Sequence, residues 1–339
     1  MVWDRRTILK YLGTQAFTLP FPLLGTGQKS PTIPRMKPRH LKSGDWVGLV
    51  APASLIDAED IKLAHRSLTN LGLKGKPAPH LLKRYGYLAG SDQERAADLN
   101  AMFADRSVQA ILAMRGGWGC ARILPLLDYN LIRQNPKILI GYSDITALLL
   151  AIYAQTGLVT FHGPVGISTW TLFSQQYFRQ VLFESKAVLM RNTSSTQVQT
   201  IVPGRARGRL IGGNLSVLAA LVGTSYLPTW NNTILFVEEV GEEVYRVDRL
   251  LTQLKLAGIL EQLSGLIFAQ CQDCTADQKE EPSLSLVEVL QDHLSPLGIP
   301  TWYGSMIGHV QDKFTLPLGI EVEIDATTGT IRMLEPAVI

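Results

Sequence analysis

The amino-acid sequence predicts an α/β protein whose first half is an open, mostly parallel sheet with helices on both faces. Two observations carry most of this expectation. Apolar runs of strand length recur at 46–52, 108–114 and 138–142, and stretches with apolar residues at helical spacing come between and after them. Such alternation points to parallel strands, because the crossover between two parallel strands needs about a helix's length of chain. The third observation is capacity. Of 339 residues 46% are hydrophobic and 18% charged, enough to bury a large core in two domains.

Taken in order, Trp46-Val47-Gly48-Leu49-Val50-Ala51-Pro52 reads as a buried strand leading into a loop, followed by helices over 57–71 and 93–103. A second strand over 108–114 runs into Arg115-Gly116-Gly117-Trp118-Gly119, and a third over 138–142 runs into a helix over 145–155 that is apolar on most sides. Functional groups in such sheets gather at the carboxyl ends of the strands. Residues 169–202 turn aromatic, then rich in Ser, Thr and Gln, which marks a connection between domains. Beyond it come a helix over 215–222, a strand over 234–239 ending in carboxylates, a helix over 247–257, a short strand over 265–269 and an alternating strand over 320–325.

The N-terminal stretch differs from the rest. Arg5-Arg6 precedes a weak apolar run over 11–24 and a Gly/Pro/Ser-containing segment, the pattern of a twin-arginine export signal. The run is too short and interrupted to span a bilayer, and no stable membrane insertion is expected elsewhere. A net charge of +3 with scattered basic residues argues against a nucleic-acid partner. The three cysteines cannot build a disulfide framework or a four-ligand zinc site, and Cys271 and Cys274 read as two small buried residues at a strand end.

Ser143, in Gly141-Tyr142-Ser143-Asp144, stands between a buried strand and a helix. There a tight turn exposes a hydroxyl, and helix N–H groups face a developing oxyanion. The same residues also suit an ordinary helix N-cap. The glycines after Arg115 permit close backbone approach to a ligand but lack the dinucleotide-binding spacing. His162 and His309 are the candidate bases, and Glu238, Glu239, Glu242, Glu243 and Asp248 the candidate carboxylates beside them.

These segments, with Ala51-Pro52-Ala53-Ser54, Phe161-His162-Gly163-Pro164, Gly212-Gly213-Asn214-Leu215 and Gly304 with Gly308-His309, stand in an order that resembles the L,D-carboxypeptidase (muramoyltetrapeptide carboxypeptidase) family of serine peptidases. The resemblance spans residues 44–309 and implies a flavodoxin- or Rossmann-like N-terminal α/β domain bearing the nucleophile, with a smaller β-rich C-terminal domain. It implies Ser143 as nucleophile, His309 as base and Glu238 as the orienting acid, with backbone N–H groups of Asp144 and Gly117 as oxyanion donors. It implies no metal or other cofactor, a peptidoglycan-derived tetrapeptide as substrate, and a homodimer.

The resulting domain expectation is an extension over 1–34, an α/β domain over 40–168, a connection over 169–202 and a C-terminal domain over 203–339. A related branch cleaves an aminoacyl-nucleotide antibiotic, and Trp170, Tyr177 or Phe178 would be its aromatic platform. A non-catalytic cell-wall peptide binder is the remaining alternative. Arg115, Arg207 and Arg246 are the candidate partners of a substrate carboxylate.

Overall fold

The structure, a computed structural model, describes residues 34–194, 196–275 and 282–339, so the twin-arginine segment lies outside the described residues. Among the described residues fourteen strands form two sheets. They are β1 (Trp46–Val50), β2 (Lys74–Pro77), β3 (Val108–Ala113), β4 (Ile138–Gly141), β5 (Thr160–His162), β6 (Leu189–Arg191), β7 (Gln199–Val202), β8 (Arg205–Asn214), β9 (Thr233–Val240), β10 (Leu263–Gln272), β11 (Thr301–Ser305), β12 (Leu316–Leu318), β13 (Glu321–Asp325) and β14 (Thr330–Met333). The helices are α1 (Ala58–Asn70), α2 (Asp92–Ala104), α3 (Cys120–Ile123), α4 (Tyr129–Gln134), α5 (Thr146–Thr156), α6 (Leu172–Leu182), α7 (Leu215–Ala220), α8 (Val244–Leu256) and α9 (Leu286–Leu294).

The first sheet has the order β12-β5-β4-β3-β1-β2, and every pair is parallel except β12 with β5. Its inner strands β1, β3 and β4 are short and mostly apolar because both faces are covered, while the edge strand β2 carries Lys74 and Lys76. Ile111, Leu112, Ile138, Leu139 and Ile140 are all buried. The flanking helices begin where the sequence supplies caps. Asp57 accepts from the N–H groups of Glu59 and Asp60, while Asp60 returns a carboxylate to the Asp57 N–H, and Ser91 and Glu94 close the same box on α2. Helix α5 is buried nearly all round and stops at Gly157, whose φ of 75° suits a residue without a Cβ.

The second sheet has the order β6-β14-β13-β8-β9-β10-β11-β7. Its centre, β8 to β11, is parallel and wound through α7, α8 and α9, and its margins are antiparallel. The predicted connection over 169–202 is structured: it contains α6 and two margin strands, β6 and β7. Its Ser/Thr/Gln composition fits strands exposed at an edge as well as it fits a linker.

The sheets meet where β8 ends and α5 begins. The Asn214 N–H donates to Thr146 Oγ1 at 2.9 Å, and a Cβ on Gly213 would fall 2.4 Å from Thr146 Cγ2, so only glycine permits this approach. After β11 the chain crosses from the second sheet to the first as β12, then returns as β13. The ten-residue stretch 306–315 that makes the crossing carries His309.

Candidate active site

Ser143 stands at the carboxyl end of β4 with φ of 65°, one of three non-glycine residues with positive φ among the described residues. A side chain in that region costs about 1–2 kcal/mol, and such strain persists only where the surroundings impose it. Here Gly141 lets Ile145 close within van der Waals range of the strand, and Gly116 lets the glycine loop press on the serine. An added Cβ on Gly116 would lie 2.6 Å from Ser143 Cβ and 2.9 Å from Oγ. Asp144 is buried and accepts from the Cys120 N–H at 2.8 Å, so its carboxylate ties the glycine loop to the turn. Burial raises its pKa. Arg95, also buried, donates to Pro52 O and to Gly119 O at 2.9 Å, holding the loops after β1 and β3 together.

Glu238 lies near the carboxyl end of β9, fully buried, and accepts from His309 Nδ1 at 2.7 Å. Burial alone would push this carboxyl up, but the two adjoining imidazoles, His162 and His309, outweigh it and hold it at about 2. The second imidazole, His162, is buried at the end of β5 with Nε2 3.7 Å from Glu238 Oε1, beyond hydrogen-bond length. Neither ring nitrogen of His162 has a hydrogen-bond partner among the described residues. Gly308 permits the Glu238–His309 contact, since a Cβ there would sit 2.2 Å from Glu238 Oε2. His309 keeps 20% of its side chain exposed, so the pair faces a reachable space with its imidazole outward.

The ring of Tyr142 joins the serine to this pair. Its centroid is 4.9 Å from the His309 ring and 6.1 Å from that of His162. No hydrogen bond links Ser143 Oγ to His309 among the described residues, and catalytic contacts of this kind often tighten only around substrate.

Of the candidate carboxylates, Glu239 accepts from Asn214 Nδ2, the Ser216 N–H and the Val240 N–H at 2.8, 2.8 and 3.1 Å. It therefore holds the start of α7 and points away from the histidine, and burial raises its pKa. Asp248 pairs with His293 at 2.7 Å on α8 and α9, and Glu242 approaches Arg246 at 3.7 Å. Among the candidate arginines, Arg207 is paired with Glu323 at 2.7 Å, and the exposed Arg115 reaches only Leu55 O at 3.4 Å. The predicted oxyanion glycine, Gly117, is one residue past the glycine that abuts Ser143. An added Cβ on it would meet Ser54 Oγ at 2.0 Å.

Sequence reasoning named Gly116 and Gly308 only as members of their motifs, without their contacts, and passed over Tyr142 as a bridge. The glycines carried a signal in being adjacent to Gly117 and His309. Cys271 and Cys274, read from sequence as two unlinked buried residues, are joined in a disulfide. The chain turns at Asp273, with φ of 56°, and brings the two Cα atoms to 5.5 Å. No group of three or more metal-ligating side chains occurs among the described residues, and no helix among them is long and apolar enough to cross a membrane.

A serine in a strained strand-to-helix turn, a buried carboxylate holding an imidazole and a glycine loop beside both are the parts of a serine hydrolase. Residues 47–163 match the LD-carboxypeptidase N-terminal domain and residues 207–324 the LD-carboxypeptidase C-terminal domain. The chain belongs to the LD-carboxypeptidase family and is by class a serine carboxypeptidase. It is 40% identical over 299 residues to a probable murein peptide carboxypeptidase of Bacillus subtilis, covering 87% of this chain and 93% of that one. It is 32% identical over 282 residues to a murein tetrapeptide carboxypeptidase of Pseudomonas aeruginosa, covering 80% and 91%. The solved structure of the microcin C7 self-immunity protein MccF without ligand superposes with a TM-score of 0.82 at 27% identity, covering 90% of this chain and 100% of that one.

Proposed function

We propose that this chain removes the C-terminal D-alanine from murein tetrapeptides, with Ser143 as nucleophile, His309 as general base and Glu238 as the group that orients it. The observation that carries the reading is the 2.7 Å contact of a buried, ionised glutamate with His309 Nδ1, the imidazole lying against the ring of Tyr142, whose neighbour in the chain is a serine held at positive φ. With Nδ1–H donated to Glu238, Nε2 is the basic nitrogen. It accepts the Ser143 proton as Oγ attacks the scissile carbonyl, and returns it to the departing amine of D-alanine. Water then releases the acyl-enzyme by the same proton route. The N–H groups of Asp144 and Gly117 serve the oxyanion, each contributing about 2.7–4 kcal/mol where such donors have been removed in other enzymes.

The test is release of D-alanine from purified muropeptide tetrapeptide in the presence of EDTA, by wild type and by Ser143→Ala. Release by wild type alone supports the assignment, and equal release by both overturns it. The similarity to MccF raises a second reading, hydrolysis of an aminoacyl nucleotide. Against it, Trp170 packs edge-on to Phe178 at 5.1 Å, and Tyr177 and Phe178 are buried, so these rings serve the core rather than a platform.

The paired arginines at Arg5-Arg6 support export, and a disulfide between Cys271 and Cys274 suits an oxidising compartment. Fractionation of cells expressing the full chain, with and without Arg5 and Arg6 replaced by Lys, tests this. Homodimerisation is tested by sedimentation of the purified chain.

A further inference from the structure

We propose that Lys313 forms the subsite for the substrate's terminal carboxylate, an anion-binding position inside the protein next to the catalytic histidine. This rests on the carboxypeptidase reading and adds to it the group that distinguishes a chain end from an internal bond.

Lys313 lies in the crossing segment between β11 and β12, and only 4% of the residue is exposed. Its Nζ donates to Gln311 O at a long 3.4 Å, and no carboxylate lies within ion-pair distance among the described residues. A buried ammonium without a counter-ion is costly, and proteins that keep one generally give it an anion to meet. Burial drives its pKa down to about 8, so it remains mostly charged at neutral pH.

Its position says which anion. Nζ lies 5.5 Å from the centroid of the Tyr142 ring, and that ring touches the His309 imidazole at 4.9 Å. Tyr142 is the residue before Ser143, so the ammonium and the His309 imidazole both lie against the ring of the nucleophile's neighbour. In a carboxypeptidase substrate the terminal carboxylate lies one residue beyond the attacked carbonyl, a span of about 3.5 Å. A cation set against the ring that precedes the nucleophile and touches the base lies on the side of the site where that group would come. The main chain fixes it there, because the Lys313 N–H donates to Ser174 Oγ at 3.0 Å, and Ser174 is buried on α6. The arginines are otherwise engaged: Arg207 and Arg246 are exposed and already near carboxylates, and the exposed Arg115 guanidinium is turned to Leu55 O.

The experiment compares a tetrapeptide ending in D-alanine with the same peptide ending in D-alaninamide, using wild type, Lys313→Met and Lys313→Arg. Wild type is expected to favour the acid by about 100-fold in kcat/KM, the scale of a charge-assisted contact realised at the transition state. Lys313→Met should lose most of that factor on the acid and far less on the amide, so that the ratio falls toward one. Lys313→Arg should restore part of it. Lys313→Met should also melt no lower than wild type, since it removes an unpaired buried charge from the free enzyme. A Lys313→Met enzyme that keeps the wild-type ratio overturns the proposal, as does a wild type indifferent to the amide. A wild type that releases neither product removes the murein carboxypeptidase reading itself, and the subsite with it.

Discussion

Gly308→Ala tests whether the Glu238–His309 contact organises catalysis, because the geometry predicts which atoms the new methyl meets. An added Cβ would stand 2.2 Å from Glu238 Oε2, 2.4 Å from Cδ and 2.5 Å from Cγ. Contacts relax to about 3.5 Å, so the carboxylate must retreat by about 1 Å, and a fully buried side chain has nowhere to do so without turning away from Nδ1. A displacement of about 1 Å in a catalytic group can cost roughly 10²-fold, and complete loss of the orienting carboxylate roughly 10⁴-fold. We expect kcat for D-alanine release to fall by about 10²- to 10⁴-fold with little change in KM. The substitution also places alanine at φ of +83°, so a control is needed that carries the backbone strain alone. Gly298→Ala supplies it: φ there is +63° and an added Cβ meets nothing within 4 Å. Gly298→Ala should lower stability by about 1 kcal/mol and leave kcat intact. If Gly308→Ala stays within about threefold of wild type while melting like the control, the contact is not what holds the imidazole, and the reasoning fails.

Ser143→Gly removes the proposed nucleophile and also relieves the positive φ, so it should be inactive yet melt at or above the wild-type temperature, as read by calorimetry. Glu238→Gln should cost far more activity than Glu239→Gln, whereas Glu239→Gln should chiefly loosen α7, which amide exchange at Ser216 and Val217 would report. Because the folded-state pKa of Glu238 is depressed to about 2, its contribution to stability is present above the unfolded value of about 4.3. It is lost as pH falls from there through 2, a span worth roughly 3 kcal/mol. The difference in melting temperature between wild type and Glu238→Gln should therefore shrink over that range, and a constant difference would contradict the assignment.

How much of this could be read from sequence depends on whether the signal was local. The strand before Ser143 and the helix after it were legible because a run such as Ile138-Leu139-Ile140 has no other stable home than a covered sheet. The residues alone left five carboxylates in and after β9 as candidates, and the family resemblance is what singled out Glu238. Neighbours on a strand face opposite ways, and Glu239 faces Asn214 and Ser216 while Glu238 meets His309. Strand β12 was not legible. It is three residues long, has Pro317 at its centre, and pairs only along a sheet edge formed by residues more than 150 positions earlier. Lys313 was hidden for the same reason, because a lysine in a polar stretch ahead of that strand reads as solvated surface.

The crossing of the chain between the sheets sets an assembly condition on the enzyme. The segment bearing His309 is clamped between β11 in one sheet and β12 in the other, so this imidazole sits on a rivet holding two plates rather than on either plate. On the proposed assignment competence also arrives late: with β12 ending at Leu318, a growing chain holds Ser143 and Glu238 well before His309 is fixed beside them.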